Sequence, residues 1–189
     1  MKKSAIILLI VVAVIVAIAT SFIGIHNDLA TKREAVDNAL SNIDTNLQRR
    51  ADLIPNLVST VKGYVKHEDE VIEKITTARE HLVNAKSVED KANAESELTN
   101  ALQALVVVVE NYPDLKSSEN FINLQDELAG TENRIATSRR DYNEAVKTYN
   151  TAIVKFPANM IAGMFKFEKA TYFEATEKAN EVPTVDFSE

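Results

Sequence analysis

One uncharged run, Ala5 to Ile25, limits what this chain can fold into more than any other feature. Only Thr20, Ser21 and Gly24 within it are not strongly apolar. As a helix it covers roughly 31 Å, about the thickness of one hydrocarbon core. A chain built this way is tethered to a membrane. Lys2 and Lys3 form a basic n-region before the run, and Ala17-Ile18-Ala19 resembles a cleavage site, so a signal peptide is the alternative reading. Apolar character persists past that site through Phe22, Ile23 and Ile25, which favours an uncleaved anchor over residues 1–25. Lys2 and Lys3 precede the run and the mixed charges Asp28, Lys32, Arg33 and Glu34 follow it. The slight positive-inside bias puts the bulk of the chain outside the cytoplasmic membrane, with its cytoplasmic face as the alternative.

The remaining residues suffice for one domain with a core, over residues 26–182, followed by an irregular tail over 183–189. The whole chain carries −7, and only Lys2 and Lys3 are charged in its first 25 residues, so the rest carries −9. Such acidity argues against nucleic acid as a partner. With four glycines and four prolines, few tight turns are available, and long helices are favoured over sheets. The absence of cysteine removes disulfides, thiol chemistry and a lipid-modified N-terminus of the lipobox type.

Apolar spacing divides the domain. Val36, Leu40, Ile43 and Leu47 form the seam of a first helix over about residues 27–50, continuing the membrane helix outward. Pro55 removes a backbone donor, so a break with reorientation is expected there. Leu57 to Ala85 then reads as a second helix of about 30 residues with Gly63 inside it. Ser87 and Asp90 fit a capping box that opens a third helix, whose seam is Leu98, Leu102, Leu105 and Val109 and which stops by Tyr112-Pro113. Ser117 or Ser118 caps a fourth of about 35 residues, ending near Val154, with a seam through Phe121, Leu128, Ile135, Tyr142 and Tyr149. The fold class is all-α: a transmembrane helix, then an antiparallel bundle of about four long helices. Residues 158–180, rich in Phe, Tyr and Met, are expected as one or two short helices across the bundle; any part left exposed would be the best partner surface.

Chemistry is sparse. His67-Glu68 begins like a zinc motif, but Val71 stands where the second histidine belongs, and His26, His67 and His81 are far apart in sequence. No phosphate-binding glycine loop or nucleophile elbow is present, and no cofactor or metal is expected. Two polar clusters remain. Arg49 and Arg50 lie beside Asp52, and Arg134, Arg139 and Arg140 lie among Glu132, Asp141 and Glu144. Charge pairing along the helix surfaces is the favoured account, and an interaction patch is the sharper one.

The stretch from Ile43 to Val58, continuing through Thr60-Val61-Lys62-Gly63-Tyr64 to His67-Glu68, resembles the LemA family of bacterial membrane proteins. So do Tyr112-Pro113-Asp114-Leu115-Lys116, Thr131 to Ala136, Arg139-Arg140, Tyr142-Asn143, Tyr149-Asn150, Phe156-Pro157 and Pro183 to Phe187. The resemblance implies an N-terminally anchored, elongated antiparallel helical protein with no general enzymatic activity attached. The expectation is a non-enzymatic scaffold or adaptor of the cell envelope, bound to the lipid bilayer through residues 5–25 and to an envelope protein. Two alternatives stand beside it. One is self-association into a homo-oligomer that organises the membrane. The other is a subunit of an envelope enzyme, with a site at Arg49, Arg50, Asp52 and His67.

Overall fold

The computed structural model describes residues 2–174, with side chains from Ser4 onward. Six helices occur among these residues and no strand: α1 (Lys2–Lys62), α2 (Asp69–Asn84), α3 (Val88–Val109), α4 (Pro113–Lys116), α5 (Glu119–Val154) and α6 (Ala158–Phe165). Among the described residues they form two compact units, one of residues 2–39 with 142–171 and one of residues 40–141 with 172–174. The tail expected over 183–189 lies outside the described residues.

In the first unit, α1 begins with a stretch that is apolar all round. Its side chains from Ile6 to Ile18 are about half exposed or more, as befits a helix whose solvent is lipid. This is the one described helix long and apolar enough to cross a membrane. Beyond it, burial narrows to one face: Leu29 and Val36 on α1 are buried, as are Val146, Tyr149 and Ile153 on α5. The chain after α6 is not helical, which corrects the expectation of further helix as far as residue 174. Side chains of α5 hold it instead. The Tyr149 hydroxyl donates to the Glu168 carbonyl at 2.9 Å, and the Tyr142 hydroxyl to that of Thr171 at 2.7 Å. The Asn150 amide both donates to the Ala170 carbonyl and accepts from its N–H, each at 2.8 Å. An amide that supplies a donor and an acceptor side by side imitates a neighbouring backbone, so the backbone groups of Ala170 need no strand partner.

The second unit is a four-helix bundle whose directions follow from its cross-links. Asn46 of α1 donates to Ser138 of α5 at 2.9 Å and Arg49 to Glu127 at 2.8 Å, numbers that run in opposite senses. Asp44 pairs with Lys91 and Arg50 with Glu95, so α1 and α3 run the same way. The core is built from Ile43, Ile54 and Leu57 of α1, Ile75 of α2, Leu98 of α3, Leu115 of α4, and Phe121 and Ile135 of α5. Helix α3 opens on the expected capping box, with the Ser87 hydroxyl accepting from the Asp90 N–H and the Asp90 carboxylate accepting from the Ser87 N–H. The hydroxyl and backbone donors of Ser87 hold the Asp90 carboxyl below its usual range. Helix α5 ends at Val154, as its spacing requires.

Two expectations fail around Pro55. Helix α1 does not break there but runs on to Lys62, and the expected second helix is divided, with a non-helical connection between Lys62 and Asp69. The proline leaves the Ala51 carbonyl without its intrahelical donor. Arg79 of α2 fills the gap, its Nε donating to the Ala51 oxygen at 2.8 Å. The real end comes at Gly63, where backbone bonds tighten from Gly63 to Thr60 and from Tyr64 to Val61. Glycine in a helix interior costs about 1 kcal/mol relative to alanine, and the acidic pair Asp69-Glu70 favours a fresh N-terminus just after it.

Candidate functional site

The bundle of the second unit encloses a cluster of four charges on three helices. Arg50 continues the α1 seam through Leu47 and Ile54, and Glu95 occupies the α3 position one turn before Leu98, so both point into the core. Arg50 is 4% exposed and Glu95 3%. The Arg50 Nη1 donates to Glu95 Oε1 at 2.6 Å, and Thr99 Oγ1 donates to the same oxygen at 3.2 Å. Arg139 of α5 donates through Nη2 to the other oxygen, Oε2. The Glu95 carboxylate is therefore engaged on both sides. Glu132, half-buried on α5, brings Oε2 to 2.5 Å from Arg50 Nη1, a pairing of charge without hydrogen-bond geometry. Burial raises the Glu132 pKa, with the neighbouring Glu95 adding to it and Arg50 and Arg139 opposing it. The Arg139 guanidinium also lies over the Phe173 ring, 4.7 Å from its centroid.

The six residues singled out in the sequence go to different places. Arg50 and Arg139 meet at Glu95, through partners on a third helix and not through the intrahelical pairs expected for Arg139. Arg49 is exposed and paired with Glu127, and Asp52 is exposed and accepts from Gln48 at 2.7 Å. Arg134 is exposed, and Arg140, also exposed, donates to Thr137 at 3.3 Å. His67 is exposed and Arg50 points inward, so Arg49, Arg50, Asp52 and His67 do not converge on one enclosed pocket. Among the described residues no group of three or more His, Cys, Asp or Glu side chains is placed to hold a metal ion.

Sequence reasoning missed Glu95, although a charged residue at a seam position was a readable signal. Arg50 carried the same signal, at the middle of the spacing Ile43, Leu47, Arg50, Ile54, Leu57 and Val61. The cluster is a set of charges paired across helices. With two cations and two carboxylates it is neutral overall, and it ties α1, α3 and α5 together at one level.

Residues 39–187 match the LemA family. Magnetosome protein MamQ 2 of Paramagnetospirillum magneticum is 30% identical over 93% of this chain and 73% of its own length. Magnetosome protein MamQ of Magnetospirillum gryphiswaldense is 27% identical over 90% of this chain and 72% of its own. Protein LemA of Metamycoplasma hominis is 28% identical over 82% of this chain and 72% of its own.

Proposed function

The chain belongs to the LemA family, and we propose that it serves as a non-enzymatic, membrane-anchored adaptor whose helical bundle engages a second protein of the cell envelope. One observation supports this reading above the rest. A single helix, α1, supplies both the apolar run and, through Ile43, Ile54 and Leu57, part of the bundle core. The charges inside that core are spent on one another, which leaves Arg49, Asp52, Arg134 and Arg140 as the part of the polar set that a partner can reach. Residues 1–25 are the anchor in this reading, residues 26–182 the bundle, and Lys2 with Lys3 keeps the N-terminus in the cytoplasm. The magnetosome and LemA relatives fit a membrane-associated protein.

Crosslinking in intact cells, followed by capture of the full-length protein from solubilised membranes, tests the adaptor role. A recurrent envelope protein that is lost when Arg134 and Arg140 become alanine is the expected result. Recovery of the protein alone across growth conditions refutes it. Protease accessibility of the bundle in intact cells tests the side of the membrane.

A further inference from the structure

Helix α6 carries the most apolar exposed surface among the described residues beyond the α1 run. Met160 is 65% exposed and Met164 68%, the preceding Phe156 80% and the closing Phe165 48%. No charge lies between Lys155 and Lys166. Four such side chains within ten consecutive positions form a patch that water does not favour.

The position of α6 beside α1 identifies its solvent. The Phe165 ring lies 5.9 Å from that of Phe22 and 4.6 Å from that of His26. An open groove of about 430 Å³ separates the two helices, walled by Val14, Ala17 and Ile18 on α1 and by Met160, Ile161 and Met164 on α6. Val14 is about 17 Å of helix inside the end of the apolar run at Ile25. A second groove is lined by Asp28, Lys32, Lys147 and Lys155, together with Ile25 and Ala158. Charge thus gathers at the level just past Ile25, on α1 and at the C-terminal end of α5, and is absent from α1 over Val14 to Phe22 and from the whole of α6. That division matches a headgroup layer above hydrocarbon, with the bracketing Lys155 and Lys166 able to reach the headgroups.

The backbone also suits hydrocarbon. Asn159 N–H donates to the Lys155 carbonyl at 2.9 Å and Met160 N–H to that of Pro157 at 3.2 Å, while Phe167 N–H closes the other end on Ala162 at 2.9 Å. Irregular ends within a bilayer need this internal satisfaction.

We infer that Phe156 to Phe165 is a re-entrant membrane element: α6 enters the leaflet nearest Ile25, and phospholipid acyl chains cover its Phe and Met side chains and fill its groove against α1. The inference rests on the reading of Ala5 to Ile25 as a membrane span, and not on the adaptor role.

The chain has no tryptophan, so single substitutions report depth. Full-length Met164→Trp, Phe156→Trp, Ile10→Trp and Val107→Trp proteins are reconstituted into phosphatidylcholine–phosphatidylglycerol vesicles with and without brominated acyl chains. Emission from Met164→Trp and Phe156→Trp should fall at least about twofold with brominated lipid, as should Ile10→Trp in the span, while Val107→Trp on α3 should not respond. Quenching of Ile10→Trp without quenching at 156 and 164 overturns the inference and leaves the span intact. Blue-shifted but unquenched emission at 156 and 164 also overturns it, because protein and not lipid then covers α6. Loss of quenching at Ile10→Trp itself removes the anchor on which both readings stand. Phe156→Trp keeps an aromatic ring at an exposed site, so the test survives if Met164→Trp misfolds.

Discussion

Arg79→Met should destabilise the protein through a carbonyl 28 positions earlier in the chain. The change keeps most of the apolar stem and removes the Nε–H that the Ala51 oxygen accepts. Ala51 is 1% exposed, and an orphaned buried acceptor costs about 1–3 kcal/mol. For a chain of this size each kcal/mol shifts the melting temperature by roughly 2–4 °C, so a drop of about 4–8 °C is expected for a loss near 2 kcal/mol. The cost should depend on Pro55. In a Pro55→Ala background residue 55 regains an N–H that reaches the same oxygen, and the penalty for Arg79→Met should fall below about 1 kcal/mol. Pro55→Ala alone should raise stability by about 1 kcal/mol, because the helix already continues through that position. Thermal melts of the four full-length proteins in detergent micelles, followed by circular dichroism, give a double-mutant cycle with an expected coupling of about 1–2 kcal/mol. Additive effects, or a lower melting temperature for Pro55→Ala, would refute the reasoning.

Neighbouring arginines should behave differently. Arg139→Ala leaves the buried Glu95 short of a partner and should cost about 2 kcal/mol, whereas Arg140→Ala should cost under about 0.5 kcal/mol, both by denaturant titration. Ile135→Ala removes a side chain with no exposure from the α5 seam and should cost roughly 2–5 kcal/mol in the same measurement. The hydrogen bond and charge of Glu97 raise the pKa of His81, so its contribution is complete below the unfolded pKa and is lost as pH rises through the folded value. The difference in melting temperature between wild type and His81→Asn should therefore shrink with rising pH across that window. Glu132 has the opposite sign to most carboxylates. Its raised folded pKa means that protonation favours the folded state as pH falls through that value, and Glu132→Gln should flatten this part of the acid stability profile.

What could be read from the sequence was local. Helix α5 follows from an unbroken alternation of threes and fours between a serine pair and Phe156-Pro157, and the start of α3 follows from Ser87 and Asp90 alone. Pro55 misled because its effect is decided by Arg79, a residue on another helix that no window around the proline contains. The break after Lys62 was legible in Gly63 and in Asp69-Glu70, yet the apolar spacing on either side continues across it and outweighed them. The non-helical segment before Glu174 was hidden for a third reason. Its conformation is imposed by Tyr142, Tyr149 and Asn150, which as seam or flanking residues of α5 announce burial and not hydrogen bonding to a distant backbone.

The buried charges bear on a weakness of such bundles. An apolar seam spaced by threes and fours repeats every seven residues, so a helix can slip by one repeat and still bury leucine against isoleucine. The charges oppose the slip: a shift of α1 or α3 parts the buried Arg50 and Glu95, at about 3–5 kcal/mol for a broken pair, and a shift of α5 takes the half-buried Arg139 away from Glu95. In a Glu132→Gln background, which leaves no carboxylate without its cations, replacing all three with Met, Leu and Met should cost little stability or even add some, since well-packed apolar groups match buried ion pairs. It should cost register. The chain has no cysteine, so Asn46→Cys with Ser138→Cys reports the native alignment, in which these side chains are 2.9 Å apart, and Asn46→Cys with Ala145→Cys reports α5 displaced by one repeat. The wild-type charges should give the first disulfide alone under mild oxidation, and the apolar triple should give both. A triple variant that forms only the native disulfide would show that packing fixes the alignment unaided, and that the charges are held in the core for some other purpose.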